Sequence, residues 1–177
     1  MQNGYLAMAY DEIDQRVAER LRTCATRLVY AIQENGRRRL RSADFCRVRL
    51  CPICQWRRSL KLYSQMSQAM RYVSSQGAYA YAFLTLTVRN VTLDGLPDAL
   101  DQINEGYRRL MQYREVKAAV HGWYRGIEIT HNLDRNSPEF DTFHPHVHVV
   151  LVVKPSYFTS RYYLSQARWT ELWKRAT

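Results

Sequence analysis

The N-terminus has no basic segment followed by an apolar one, and no apolar run approaches membrane-spanning length. Neither a signal peptide nor a bilayer-inserted helix is therefore expected. Cysteine is sparse. Four in 177 residues are too few for a disulfide scaffold in a chain this large, and in a cytosolic protein they read first as metal ligands. There is no internal repeat and no low-complexity tract. Acid is missing from one stretch in particular. Between residues 36 and 71 only Asp44 is acidic, against ten basic residues, whereas the rest of the chain carries 16 basic and 15 acidic ones.

The composition, 46% hydrophobic and 24% charged, is that of a globular protein and not a disordered one. The length fits one domain, or one domain with a small appendage. Most of the net charge of +10 lies in the acid-poor stretch, where nine of the ten basic residues are arginine. Arginine is the better bidentate phosphate ligand. Arg37, Arg38, Arg39, Arg41, Arg47, Arg49, Arg57, Arg58 and Lys61 are therefore candidate contacts to a nucleic acid. The alternative is a solvated face that serves solubility.

Periodicity predicts a helix from Asp11 to about Gln33, ended by Asn35-Gly36, and a basic, cysteine-containing loop to Cys54. A second helix is predicted from Gln55 to about Ser75. Residues 78–90 alternate with period two, a strand pattern. A helical stretch with Pro97 just inside its start runs to about Val120. Strands follow at Trp123 to Thr130 and Phe143 to Val153, separated by a polar loop. Pro155 ends the last strand, and a final helix begins near Ser165 with Trp169, Leu172 and Trp173 on one face. The expected organisation is a helical, basic, zinc-binding element over residues 1–77 and a sheet-containing core over residues 78–177. The chain stops at Thr177 without a capping signal, which suggests a larger protein.

The cysteines are spaced Cys24-x21-Cys46-x4-Cys51-x2-Cys54. A Cys-Pro-Ile-Cys turn presents two thiolates to one ion, and zinc takes four such ligands tetrahedrally. Buried free thiols or a redox pair are the alternatives. Four ligands close the site, so the zinc would be structural, pinning the arginine-rich loop to the flanking helices. Cys24 is the odd member, because it falls within a helical pattern far from the others.

Three histidines fall in five residues, His144-Pro145-His146-Val147-His148. On a strand His146 and His148 share a face, with His144 just before them, while Val147, Val149, Leu151 and Val153 take the other face. Glu128 lies mid-strand between Ile127 and Ile129, which are expected to face the core. Leu84, Leu86 and Val88 are likewise expected inward, with Thr85 and Thr87 on the polar face. His146, His148 and Glu128, with His144 as a further candidate, thus form a potential site with open positions that suits manganese or magnesium. Such an ion grips the non-bridging oxygens of a phosphodiester.

FLTLTVRN (83–90), GIE (126–128) and HPHVHVVL (144–151) resemble the successive motifs of HUH endonucleases. Together with CRVRLCPICQWRRSLK (46–61) and PSYFTSRYYLSQARWTELW (155–173), they resemble the rolling-circle replication initiators of small bacterial plasmids that carry an N-terminal cysteine-rich element. The resemblance implies an α+β fold, a central antiparallel sheet flanked by helices and similar to RNA-recognition domains. It implies an enzyme that nicks one strand of the plasmid origin and remains linked to the 5′ phosphate through a tyrosine. His146 and His148 match the family's metal-binding pair, and Glu128 stands where many members have their third ligand. Plasmid origin DNA, duplex and single-stranded, is the implied partner, with host helicase and polymerase as further partners, in the bacterial cytoplasm. In relatives the nucleophilic tyrosine lies on a helix well downstream of the histidine strand, which here falls beyond Thr177. Tyr162 and Tyr163 are the nearest alternatives in this chain, but they sit closer to the histidines than that pattern allows. A DNA-binding module without catalysis, and a transposase using the same chemistry, are the competing functions.

Overall fold

The structure, a computed structural model, describes residues 2–177, except for the side chain at position 2. It divides into two compact units, residues 1–72 and 73–177. The first unit contains α1 (Gln2–Asp11), α2 (Gln15–Arg22), the antiparallel strands β1 (Leu28–Ile32) and β2 (Arg38–Ala43), and most of α3 (Pro52–Ser75).

The single helix expected over residues 11–33 is replaced by helix, helix and strand. The Asp14 carboxylate accepts from the backbone N–H groups of Arg16 at 3.0 Å and Val17 at 3.2 Å. This satisfies donors that a helix start leaves unpaired, so α2 begins there as a separate element. Leu28, counted in the apolar stripe of a helix, instead opens β1, whose LVYAI sequence is rich in strand-favouring residues. Asn35-Gly36 is the turn of a hairpin and not a helix stop. Gly36 has a φ of 77°, which glycine adopts without a Cβ clash. The Asn35 side chain accepts from the Arg37 N–H at 3.0 Å. The expected loop therefore contains β2. Proline suits the first position of α3 because its missing N–H has no partner there.

The buried cluster of this unit is small: Ala7, Leu21, Cys24, Cys46, Val48 and Cys51. Apolar burial on that scale is thin support for a unit of this length.

The second unit is a three-stranded antiparallel sheet in the order β3-β5-β4, where β3 is Ala80–Thr87, β4 Val120–His131 and β5 Phe143–Val153. Its helices are α4 (Leu96–Leu110), α5 (Arg114–Ala119) and α6 (Gln166–Ala176), with a short 3-10 helix at Pro155–Thr159. The fold is thus α+β. The helical stretch expected up to Val120 is broken after Leu110. Val147, Val149, Leu151 and Val153 are buried on one face of β5. They pack with Ile103, Leu110, Trp169 and Leu172 from the helices. The Ser165 hydroxyl caps α6 by accepting from the Arg168 N–H at 3.2 Å. The Trp173 indole N–H donates to the Thr87 carbonyl at 2.6 Å, fastening α6 to the end of β3.

Ile127 and Ile129 are 40% and 42% exposed, not buried as their alternation suggests. They share the helix-facing side with Val147, but β4 is an edge strand and neither isoleucine belongs to the buried cluster that Val147 joins. Among the described residues no helix is long and apolar enough to cross a membrane.

Candidate functional site

The face of β5 opposite the core carries His144, His146 and His148. Register places Glu128 of β4 and Thr87 of β3 beside His146, and Gly126 and Thr85 beside His148. One carboxylate oxygen of Glu128 lies 3.1 Å from His148 Nε2 and 3.5 Å from His146 Nε2. Ligand atoms of the three residues all fall within 4.8 Å of one another, close enough to hold one ion.

The other ring nitrogens are held as well. His146 Nδ1 lies 3.1 Å from the His144 carbonyl. A carbonyl only accepts, so Nδ1 carries the proton and Nε2 presents its lone pair to the site. His148 Nδ1 is 3.2 Å from the Thr85 hydroxyl, an outer contact that fixes ring orientation. The His146 side chain is 12% exposed, while His148 and Glu128 are 37% and 61% exposed. The group therefore opens to solvent on one side, as a site that admits substrate must.

His144 does not join this convergent group. Its Nδ1 bonds the Asn90 side-chain oxygen, and the Asn90 amide in turn donates to Glu139 and to Thr142. A paired bridge between Val91 and Phe143 holds Asn90 in place. Asn90, Glu139 and Thr142 are supporting residues that sequence reasoning gave no role, and Thr85, expected only on the polar face, proves to contact His148. Asn90 and Thr85 did lie within the FLTLTVRN segment.

The four cysteines also converge. Their sulfurs lie 3.6 Å (Cys24–Cys51), 3.7 Å (Cys24–Cys54) and 3.6 Å (Cys46–Cys54) apart. A disulfide requires about 2.05 Å, whereas four thiolates about 2.3 Å from a zinc ion stand roughly 3.8 Å apart. The donor set and spacing fit zinc. The hairpin brings Cys24 to the others. Ala25 N–H donates to the Asp44 carbonyl at 2.7 Å and Asp44 N–H to the Arg27 carbonyl at 3.2 Å, closing Cys24 against Cys46. Backbone N–H groups of Cys46, Arg47 and Val48 point at cysteine sulfurs at 3.3–3.5 Å. Burial pushes the Cys24 and Cys46 thiols up. In Cys51 burial is outweighed by the Cys54 backbone N–H and the neighbouring thiols, which pull it down.

The basic residues separate into two groups. Arg37, Arg38, Arg39 and Arg41 ride on the hairpin, where Arg38 and Arg39 project to opposite faces of the ribbon. Arg47, Arg49, Arg57, Arg58 and Lys61 surround one cleft of about 380 Å³ beside Cys54. The Arg57 guanidinium lies 4.1 Å above the Phe45 ring, which orients it. The cysteine cluster adjoins the second group.

A family model described as "Replication protein" matches residues 37–177. The chain is 43% identical over 180 residues to a "Protein rep" of Bacillus amyloliquefaciens, with 97% of this chain and 51% of that protein aligned. A "Protein rep" of Streptococcus pneumoniae serotype 2 is 38% identical, with 97% of this chain and 53% of that protein aligned. A "Protein rep" of Staphylococcus aureus is 37% identical, with coverage of 80% and 60%. The chain spans about half the length of the curated relatives it matches. No solved structure shows a significant match.

Proposed function

This chain belongs to the replication protein family, and from that premise we propose that it is the origin-binding and metal-binding portion of a plasmid rolling-circle replication initiator. The observation that carries this reading is the placement of one Glu128 oxygen against the Nε2 atoms of both His146 and His148. In this assignment residues 1–77 bind DNA and residues 78–177 hold the endonuclease site.

Glu128, His146 and His148 would hold a manganese or magnesium ion. When bound, that ion withdraws charge from the non-bridging oxygens of a phosphodiester and makes phosphorus more receptive. The chain's own part is to present the ligands. The His144 carbonyl sets the His146 tautomer, Thr85 steadies His148, and the exposed side of the sheet leaves room for a DNA linkage.

The reaction proposed for the whole protein is transfer to a tyrosine. The phenolic oxygen bonds to phosphorus while the bond from phosphorus to the 3′ oxygen breaks, and the 3′ oxygen takes a proton. The resulting tyrosyl phosphodiester retains the energy of the original bond, so rejoining needs no ATP. We assign the nucleophile to neither Tyr162 nor Tyr163. The Tyr162 hydroxyl accepts from Arg161 at 2.9 Å. Among the described residues neither hydroxyl bonds the Glu128, His146 and His148 group.

Two experiments test this reading. Thr85→Val keeps shape but removes the hydroxyl beside His148, and manganese affinity, measured by titration calorimetry, should fall about 10- to 100-fold. Unchanged affinity contradicts the assignment of the site. Replacing Arg57 and Arg58 together by alanine should weaken duplex binding across sequences. It should also flatten the plot of log affinity against log salt by about 1.8, near 0.9 for each phosphate no longer neutralised. An unchanged slope removes the cleft from the DNA interface.

A further inference from the structure

β3 is an edge strand. Beside its free edge, toward the 3-10 helix and α6, runs a cleft of about 510 Å³, within the size range of small-ligand pockets. Phe83, Phe158 and Tyr163 line it. Scattered exposed apolar side chains need no explanation. Here, however, three aromatic rings that are 68%, 50% and 50% exposed gather around one concavity. Its polar lining comes from hydroxyls and an amide, including Thr170 and Gln166, and no lining side chain among the described residues is charged.

The cleft meets the metal-binding face. The Phe83 ring stacks on the His148 imidazole, with centroids 5.4 Å apart and planes 23° from parallel. Thr85, which bonds His148, also lines the cleft.

We propose that this cleft binds single-stranded DNA next to the linkage to be cut, with unpaired bases stacked on Phe83, Phe158 and Tyr163. Aromatic faces combined with neutral hydrogen-bonding groups suit bases freed from a duplex, since every base offers a π-face. An extended peptide pairing with the edge of β3 is the competing occupant. It is disfavoured because the Trp173 indole already takes the Thr87 carbonyl, and α6 covers that end of the edge. The inference rests on the endonuclease reading for its purpose, but its test needs no divalent ion at the histidines.

The probe is a single-stranded oligonucleotide carrying one 2-aminopurine, titrated with the chain in buffer free of manganese and magnesium. Binding should quench the 2-aminopurine, as stacking does. Phe83→Leu keeps apolar bulk but loses the ring face, and single-strand affinity should fall at least about fivefold with loss of quenching. The double substitution Phe158→Ala and Tyr163→Ala should act in the same direction. Phe83→Trp should retain both affinity and quenching. Duplex affinity should stay unchanged in all of them.

Unchanged single-strand affinity and quenching in Phe83→Leu and in the double variant would overturn the proposal. So would an equal loss of duplex affinity, or a loss in Phe83→Trp as large as in Phe83→Leu. Failure here leaves the manganese affinity of the unsubstituted chain untouched, so it is distinguishable from failure of the endonuclease reading.

Discussion

Manganese binding is expected to fall by more than about 100-fold when His148 or His146 is replaced by alanine, because removing a ligand costs more than removing the partner that orients it. Either change leaves one imidazole and one largely exposed carboxylate, a donor set too small to compete with water for a hard cation. Both side chains project from the face of β5 opposite the core, where Val147 and Val149 are fully buried and untouched. The fold should therefore persist, and duplex affinity should stay within about twofold, since the proposed assignment gives the duplex contacts to the arginine cleft and not to the histidines. Titration calorimetry with manganese, alongside duplex binding by fluorescence anisotropy, reads both quantities. Retained manganese affinity in the alanine variants would leave a DNA-binding module without a metal-dependent site.

The second large effect is expected at the cysteines. Structural zinc contributes about 10–16 kcal/mol of apparent binding free energy in small zinc-dependent folds. Here the unit around it buries only a small cluster, half of it cysteine. Cys51→Ser, or removal of zinc with a strong chelator, should therefore unfold α1, α2 and the hairpin. The cleft formed by Arg47, Arg49, Arg57, Arg58 and Lys61 would disperse with them, because it is built beside Cys54. Hydrogen exchange followed by mass spectrometry should show protection lost over residues 2–50 and retained in β5. Duplex affinity should drop by at least about tenfold together with the loss of that ordered array. Protection that survives the removal of zinc would mean that the cysteines are ordinary buried thiols.

The histidine strand was legible because its signals agree. Valine and leucine alternate with histidine from Phe143 to Val153, and Pro155 closes the run. The shared face of His146, His148 and Glu128 followed from period two alone. The register that sets Glu128 opposite His146 depends on strand pairing and could not be read from spacing. The first 45 residues misled for a local reason. Asn35-Gly36 serves equally as a helix stop and as a hairpin turn, and choosing the first hid β1, β2 and the path of Cys24. Once the hairpin is in place, Cys24 follows the end of α2 and meets Cys46 through backbone pairs. Ile127 and Ile129 show a different limit. Alternation tells which side of the sheet a residue takes, but not whether a helix covers that stretch. The clasp of Asn90, Glu139 and Thr142 around His144 joins loop residues about fifty positions apart, and no periodicity encodes it.

The most direct measurement is anomalous diffraction at the manganese edge from crystals of this chain grown with manganese. The predicted result is one manganese bonded to the Glu128 carboxylate and to the Nε2 atoms of His146 and His148. Manganese bound only elsewhere, with those three side chains empty-handed at saturating metal, would contradict the assignment of the sheet face as the place where DNA is cut.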